Sequence, residues 1–185
     1  MKIKDRFVLG LISGMAGNAV KMLIDEISLR KKISKRSFRS TAAGIMVGKK
    51  KHADSATGQV LGGIFDFGFA ALGGVATVYF LSKTGRDHLI FKGVASGLFI
   101  GSFITSILSG FPGSKVAPKD ASSNLSYMLS HIAYGLTTAS VASALGHPSL
   151  FDTPPLNDYL TPTEKTTEIA GQQEKQQQAQ PVGYH

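Results

Sequence analysis

The sequence contains no cysteine and no tryptophan, and its charged residues are scarce, at 17% of 185 residues. Without cysteine the chain has no disulfide, no thiolate metal ligand and no cysteine nucleophile. Without tryptophan, an aromatic anchor at a membrane interface must be a tyrosine, and Tyr79, Tyr127 and Tyr134 are the candidates. The absences therefore exclude thiol chemistry and a disulfide-stabilised fold.

Motifs that carry known chemistry are also missing from the sequence. There is no nucleophile motif, no glycine-rich phosphate loop after a strand, and no His/Glu pair with zinc-ligand spacing. We therefore expect a protein that is not an enzyme and that holds no cofactor and no metal. Nucleic acid is not an expected partner, because the basic segment offers almost no aromatic side chain to stack on bases.

The chain does contain four long apolar runs, at about residues 7–24, 58–81, 94–111 and 125–145. A membrane-spanning helix needs about 20 mostly apolar residues. The third run has no charge, so it lacks the polar stripe of a helix on the surface of a soluble domain. The sequence predicts an all-α, multi-pass integral membrane protein whose transmembrane domain of four helices covers residues 1–147.

A strongly basic segment, residues 25–55, separates the first two runs, and such loops stay on the cytoplasmic side. Within it, residues 34–48 predict a short amphipathic helix with Phe38, Ala42, Ile45 and Met46 on one face. Such a helix can lie among lipid headgroups. The candidate contacts to anionic lipid are Lys31, Lys32, Lys35, Arg36 and Arg39. The alternative is a loop that only sets topology and binds no specific ligand.

The first apolar run leaves alternatives open. As a full span it places the basic residues 2–6 outside, which is mildly unfavourable. A tilted or re-entrant segment would remove that conflict, and Gly10, Gly14, Gly17 and Asn18 allow one. A third alternative is a signal peptide cleaved near Gly17.

Small residues recur at every fourth position of each run. Residues four apart share one face of a helix, and in lipid the close approach of backbones replaces the hydrophobic effect as a cause of helix association. This pattern predicts helices that pack through small-residue faces. The helix-packing candidates are Gly10, Gly14, Gly58, Gly62, Gly74, Gly93, Gly97, Gly101 and Gly135.

The same faces carry a few polar residues, which predict an intramembrane polar layer formed by Asn18, Asp66, Thr105 and His131. We call the end of the bundle next to the basic segment the basic-loop end. Counted from there at about 1.5 Å per residue, these four residues lie roughly 8–12 Å deep. Lys21 lies about a turn shallower, and its side chain can reach this layer or extend outward. A carboxylate in the bilayer must be protonated or paired, and His131 is the expected partner of Asp66.

Two roles for this layer stay open. It is a hydrogen-bonded clasp that sets the register of the helices, or it is a functional site for a proton, a cation or a lipid headgroup. Beyond it, residues 148–185 are Pro-rich and then Gln-rich, a composition that cannot bury a core. They predict a disordered polar tail.

Three blocks carry a resemblance: DRFVLGLISGMAGN, LGGIFDFGFAALGGVATVYFLSKTGRDHLIFKGVASGLF and HIAYG. In this order and spacing, over about residues 5–146, they resemble a family of small four-span membrane proteins from Bacillota whose members are described as uncharacterised. The resemblance implies a multi-pass protein of the bacterial cytoplasmic membrane and supplies no catalytic residue.

The function expected from these features is that of a non-enzymatic structural or interaction bundle. Its expected partners are the lipid bilayer, anionic lipid headgroups, and a second copy of the chain or other membrane proteins. The alternative is a small pore, a holin-like protein or a transport component whose Asp/His layer handles protons or cations.

Overall fold

A computed structural model describes residues 2–116 and 120–152, and these residues are largely helical. The helices are α1 (Arg6–Arg30), α2 (Phe38–Ala43), α3 (Lys50–Ala53), α4 (Ala56–Thr84), α5 (Leu89–Gly110) and α6 (Ala121–Leu145), followed by a 3₁₀ helix (Pro148–Phe151). Over the described residues, the β structure is one isolated bridge between Ile3 and Gly146. For this part of the chain the prediction of an all-helical fold is confirmed.

Three helices, α1, α4 and α5, are long and apolar enough to cross a membrane. They contain the first three predicted spans. The fourth predicted span lies in α6. This helix has 25 residues, as many as α1, and is roughly 37 Å long at about 1.5 Å per residue. Its many serine and threonine residues reduce its hydropathy, so its crossing of the membrane stays a prediction.

The four long helices run alternately up and down, and α1 and α6 form the centre of the bundle. α1 packs against both α4 and α6, and α5 packs against α6. α4 and α5 are joined by a short turn, yet they contact each other at only a few positions. A gap therefore separates these two outer helices.

Side-chain caps begin three of the long helices. Asp5 accepts a hydrogen bond from the Val8 amide (2.7 Å), and Ser55 caps α4 in the same way. Asp120 accepts bonds from the Ser123 hydroxyl (2.7 Å) and amide (3.1 Å), and these hold the pKa of Asp120 below its ordinary value. Each cap satisfies an amide that the helix leaves without a partner.

α1 is one continuous helix from Arg6 to Arg30. Gly14 and Gly17 lie within it and do not interrupt it, because neighbouring helices occupy the space beside them. The structure therefore has no re-entrant break in the first apolar run.

The basic segment folds differently from the amphipathic helix that the sequence predicts. α2 has only six residues, and the side chains of Phe38 and Ala42 are buried against the bundle and not turned toward a lipid surface. Met46 is exposed. The Phe38 amide donates to the Asp25 carboxylate (2.9 Å), and the Lys35 amide donates to the Ser123 hydroxyl (3.0 Å). These bonds attach the segment to α1 and α6.

The start of the predicted tail is ordered. Leu150 and Phe151 are buried in a cluster with Leu9, Val78 and Leu81. The Ile3 amide donates to the Leu145 carbonyl (2.9 Å), so both ends of the described chain lie together. The prediction of disorder is therefore wrong for residues 148–152, since two large apolar side chains find a core there. Residues 153–185 lie outside the described residues.

Candidate functional site

Most of the predicted packing glycines lie where two helix backbones meet. Gly10, Gly14 and Gly74 lie between α1 and α4, and a Cβ at Gly14 would overlap the Ala70 carbonyl. The α5–α6 contact contains Gly93, Gly97, Gly101 and Gly135. Gly58 and Gly62 differ, because they contact carbonyls of the basic segment at Ala53 and Arg39. The glycine faces of α4 and α5 therefore point away from the gap between these two helices.

Two opposite charges meet inside the bundle. Lys21 of α1 and Asp66 of α4 are 2% and 5% exposed, and Lys21 Nζ lies 2.5 Å from Asp66 Oδ1. Burial of this depth is costly for either charge alone and is tolerated when the two are paired. The side chain of Lys21 therefore extends toward the predicted polar layer and not outward to the end of the bundle.

The prediction that His131 is the partner of Asp66 is wrong. His131 Nδ1 lies 2.7 Å from the Tyr127 carbonyl one turn earlier in α6. α4 packs mainly on α1 and only slightly on α6, so a carboxylate on the packed face of α4 meets a side chain of α1 first. The ring of His131 instead fills the space beside Gly101 of α5.

An aromatic side chain covers this site from the basic-loop end. The Phe38 ring lies 4.2 Å from Lys21 Nζ, measured to its centroid, and makes edge contacts with the rings of His131 (5.0 Å) and Tyr127 (5.2 Å). A cation over a desolvated aromatic face is attracted by it. The sequence placed Phe38 on an apolar face, but it did not identify that face as a wall of the site.

Two of the three candidate interface tyrosines are also part of this interior. The Tyr134 hydroxyl donates to the Ala70 carbonyl of α4 (2.7 Å), and the Tyr127 hydroxyl donates to the Arg36 carbonyl (2.8 Å). Both side chains are fully buried, so the interface role is wrong for them, whereas Tyr79 is half exposed. Their hydroxyls find backbone acceptors inside the protein and have no need of the lipid headgroup layer.

A cavity of about 180 Å³ lies in front of the ion pair, between α4 and α5. Lys21, Asp66 and His131 line its inner end, and its sides are formed by apolar residues, among them Phe65, Phe69, Ile100 and Ile104. Phe69 and Met46 line it and are about half exposed. The cavity therefore reaches the outer surface of the bundle.

A second cavity of about 330 Å³ continues the gap toward the other end of the helices. It lies between Ala76 and Phe80 of α4 and Ala95 and Phe99 of α5, and it shares Ile100 with the first cavity. We call the two cavities together the α4–α5 groove. The groove is lined mostly by apolar side chains, its charged residues lie at its inner end, and Thr77 and Ser96 are the polar residues in the lining of the second cavity.

Three of the five predicted polar residues meet at this inner end, and two do not. Lys21, Asp66 and His131 line the cavity, whereas Asn18 and Thr105 are buried elsewhere and do not line it. Among the described residues, Asp66 Oδ2, both amide atoms of Asn18 and the Thr105 hydroxyl have no hydrogen-bond partner. Buried polar atoms without partners are uncommon and call for an explanation.

The candidate lipid-contact residues divide into two groups. Lys31, Lys32 and Lys35 are exposed at the basic-loop end. Arg39 is half buried and pairs with Glu26 (3.1 Å), while the carbonyl of Arg36 accepts the bond from Tyr127. Of these five candidates, the three lysines are therefore the ones whose side chains are exposed.

Residues 2–116 and 120–152 contain no group of three or more His, Asp or Glu side chains close enough to hold a metal ion. The inner end of the groove instead offers an ion pair, an imidazole and aromatic walls, a set that can bind a polar group but places no nucleophile. A comparison of the chain with known proteins finds no matching family model, no similar curated protein and no similar solved structure.

Proposed function

We propose that this chain is a four-span integral membrane protein of the bacterial cytoplasmic membrane that acts as a non-enzymatic structural or interaction bundle. On this proposal α6 crosses the membrane with α1, α4 and α5. We also propose that the chain belongs to the small four-span family from Bacillota that its glycine-rich blocks resemble.

One observation carries the membrane part of the proposal: polarity is inverted relative to a water-soluble helical protein. Phe91 and Phe99 of α5 are 74% and 72% exposed, while Lys21, Asp66 and His131 are buried. An exposed apolar surface of this extent is unfavourable in water. In lipid the same surface is solvated by acyl chains, and polar side chains belong inside the bundle.

The interaction role rests on the two surfaces that such a bundle presents. At the basic-loop end, Lys31, Lys32 and Lys35 are placed to attract anionic lipid headgroups. Along the helices, the aromatic face of α5 is available to a second copy of the chain or to another membrane protein. Neither surface needs a catalytic group.

A second candidate function is a small pore or a component that handles protons or cations. The buried Lys21–Asp66 pair and the unpaired Asp66 Oδ2 favour it, since ionisable groups inside a bundle often mark ion pathways. Induced expression with a membrane-potential dye distinguishes the two. A pore collapses the potential, whereas an interaction bundle leaves it unchanged.

The absence of cysteine gives a direct test of the four-span topology. Lys49→Cys, Lys83→Cys and Ser149→Cys each place one thiol at an exposed position. In intact cells, a membrane-impermeant maleimide should label Lys83→Cys and Ser149→Cys but not Lys49→Cys. Labelling of all three in permeabilised cells is the control. Protection of Ser149→Cys in intact cells would contradict a fourth span, and a chain found in the soluble fraction would contradict the whole proposal.

A further inference from the structure

The inner end of the α4–α5 groove carries no net charge. Lys21 Nζ and Asp66 Oδ1 are 2.5 Å apart and neutralise each other, and both residues line the cavity. A ligand with a negative headgroup would approach Asp66, and a positive one would approach Lys21. In a poorly solvated cavity, either arrangement adds an uncompensated charge. The site therefore favours an uncharged headgroup.

Beside the remaining N–H groups of Lys21, this end has two hydrogen-bond acceptors without a partner in the part of the chain that the structure describes. Asp66 Oδ2 has no partner among the described residues. A carbonyl oxygen can only accept, so the short contact between His131 Nδ1 and the Tyr127 carbonyl places the proton on Nδ1. In the neutral ring, Nε2 is then an acceptor. The Tyr134 hydroxyl already donates to Ala70.

A hydroxyl group matches this set. It can donate to Asp66 Oδ2 and accept from Lys21 Nζ, which has N–H groups beyond the one directed at Asp66 Oδ1. Two neighbouring hydroxyls could use His131 Nε2 as well. An ester, an ether or a hydrocarbon offers no donor and leaves both acceptors unpaired.

The rest of the groove determines the form of the ligand. Beyond the inner end, most side chains that line the two cavities are apolar, with Thr77 and Ser96 as the exceptions in the second cavity. The cavities follow the gap between two helices whose outer faces are apolar. Their volumes, about 180 and 330 Å³, exceed more than tenfold the roughly 10–15 Å³ that a cavity needs to hold one water molecule. An extended hydrocarbon chain fits such a groove.

We propose that the α4–α5 groove binds a single-chain amphiphile with an uncharged, hydroxylated headgroup, of the monoacylglycerol class. The headgroup lies against Lys21, Asp66 and His131, and the acyl chain runs between α4 and α5 past Ile100. This inference rests on the proposed membrane location, because the ligand enters from the bilayer.

The test uses the full chain in nanodiscs of phosphatidylcholine, a lipid that has no hydroxyl donor. A C18 1-monoacylglycerol is titrated into the discs, and the retained molecules are counted by native mass spectrometry after release from lipid. The matched ligand is the same monoacylglycerol with both hydroxyls methylated. We expect one monoacylglycerol per chain and binding of the dimethoxy analogue that is weaker by about tenfold or more, because it cannot donate to the buried acceptors.

Two protein variants test the position of the chain. Ala95→Phe places an aromatic ring in the groove. Ala19→Phe places the same ring on the exposed surface of α1, at a residue that lines neither cavity of the groove. Both positions are exposed, so both variants should fold. Ala95→Phe should weaken monoacylglycerol binding by about tenfold or more, and Ala19→Phe should change it less than about twofold.

Several outcomes would overturn the inference. The first is equal retention of the dimethoxy analogue, or no retention of either ligand. The second is preferential retention of a C18 fatty acid titrated into the discs in the same way. The third is unchanged binding of the monoacylglycerol by Ala95→Phe. If the cysteine labelling follows the four-span pattern while one of these outcomes occurs, the groove assignment fails and the membrane proposal stands. If the chain does not enter membranes, both fail.

Discussion

At the scale of single residues, the contact between Lys21 and Asp66 is the most informative feature of this protein. Both are almost completely buried, and each is the ionic partner of the other. An ion pair in such a place is not by itself evidence of high stability, because desolvation offsets much of the attraction. Removing one partner is another matter, since it leaves an isolated charge in a medium that solvates it poorly.

Lys21→Met is therefore expected to lower the free energy of unfolding by about 3–5 kcal/mol. Adding Asp66→Asn should recover part of that loss, because the remaining carboxylate charge is removed. Reversible unfolding in mixed micelles measures both variants and their coupling. As a control, Lys21→Met and Phe91→Ala should have additive effects, since Phe91 is exposed on α5 and is not a partner of the ion pair. A double variant no more stable than Lys21→Met would contradict the pairing.

At the scale of helices, glycine positions decide which elements touch. α5 packs on α6 through Gly93, Gly97 and Gly101, each of which lies against backbone or side-chain atoms of α6. Gly68 of α4 lies in open space, with nothing within 4 Å of a Cβ built on it. The four-residue spacing of glycines thus marks a packing face, but an individual glycine does not have to lie on one.

Gly97→Ala should lower the free energy of unfolding by about 1–3 kcal/mol, because the new methyl group would overlap the His131 carbonyl. Gly68→Ala should be neutral or stabilising by up to about 1 kcal/mol, since alanine is the better helix former. Unfolding in the same micelles compares the two variants. Equal losses at both positions would show that the cost comes from replacing glycine and not from the α5–α6 contact.

At the scale of the whole molecule, the two ends of the described chain close the bundle on the side opposite the basic segment. Phe151 is buried between Leu9 of α1 and Val78 and Leu81 of α4. Arg86, in the turn between α4 and α5, lies over the same ring at 4.9 Å. The residues after α6 therefore join three parts of the chain that are distant in sequence.

Phe151→Ala should lower the free energy of unfolding by about 3–5 kcal/mol, the usual cost of emptying an aromatic site in a core. Phe91→Ala is the matched control, because Phe91 is exposed on α5, and its loss should stay below about 1 kcal/mol. The comparison is again made by unfolding in micelles. A small effect of Phe151→Ala would mean that residues 148–152 do not contribute to the stability of the bundle.

Much of the local structure could be predicted from the sequence, and much of the site could not. The apolar runs located three helices with the length and hydropathy of membrane spans, because hydropathy over about 20 residues is a local property. The amphipathic segment around Phe38 was assigned to a lipid surface, since the pattern reveals an apolar face but not what covers it. The sequence places His131 and Asp66 at the same depth and so predicts that they pair. This prediction is wrong, because two residues at equal depth in a membrane need not touch.

The sequence by itself determined that the chain is helical, that its helices carry small-residue faces and that a few polar side chains share those faces. Only the tertiary structure decided that Lys21 neutralises Asp66, that Phe38 covers the pair, that Phe151 is part of the core and that α4 and α5 leave a groove between them. The physical reason is that periodicity along one helix identifies its faces, whereas the partner of each face depends on contacts between residues far apart in the chain.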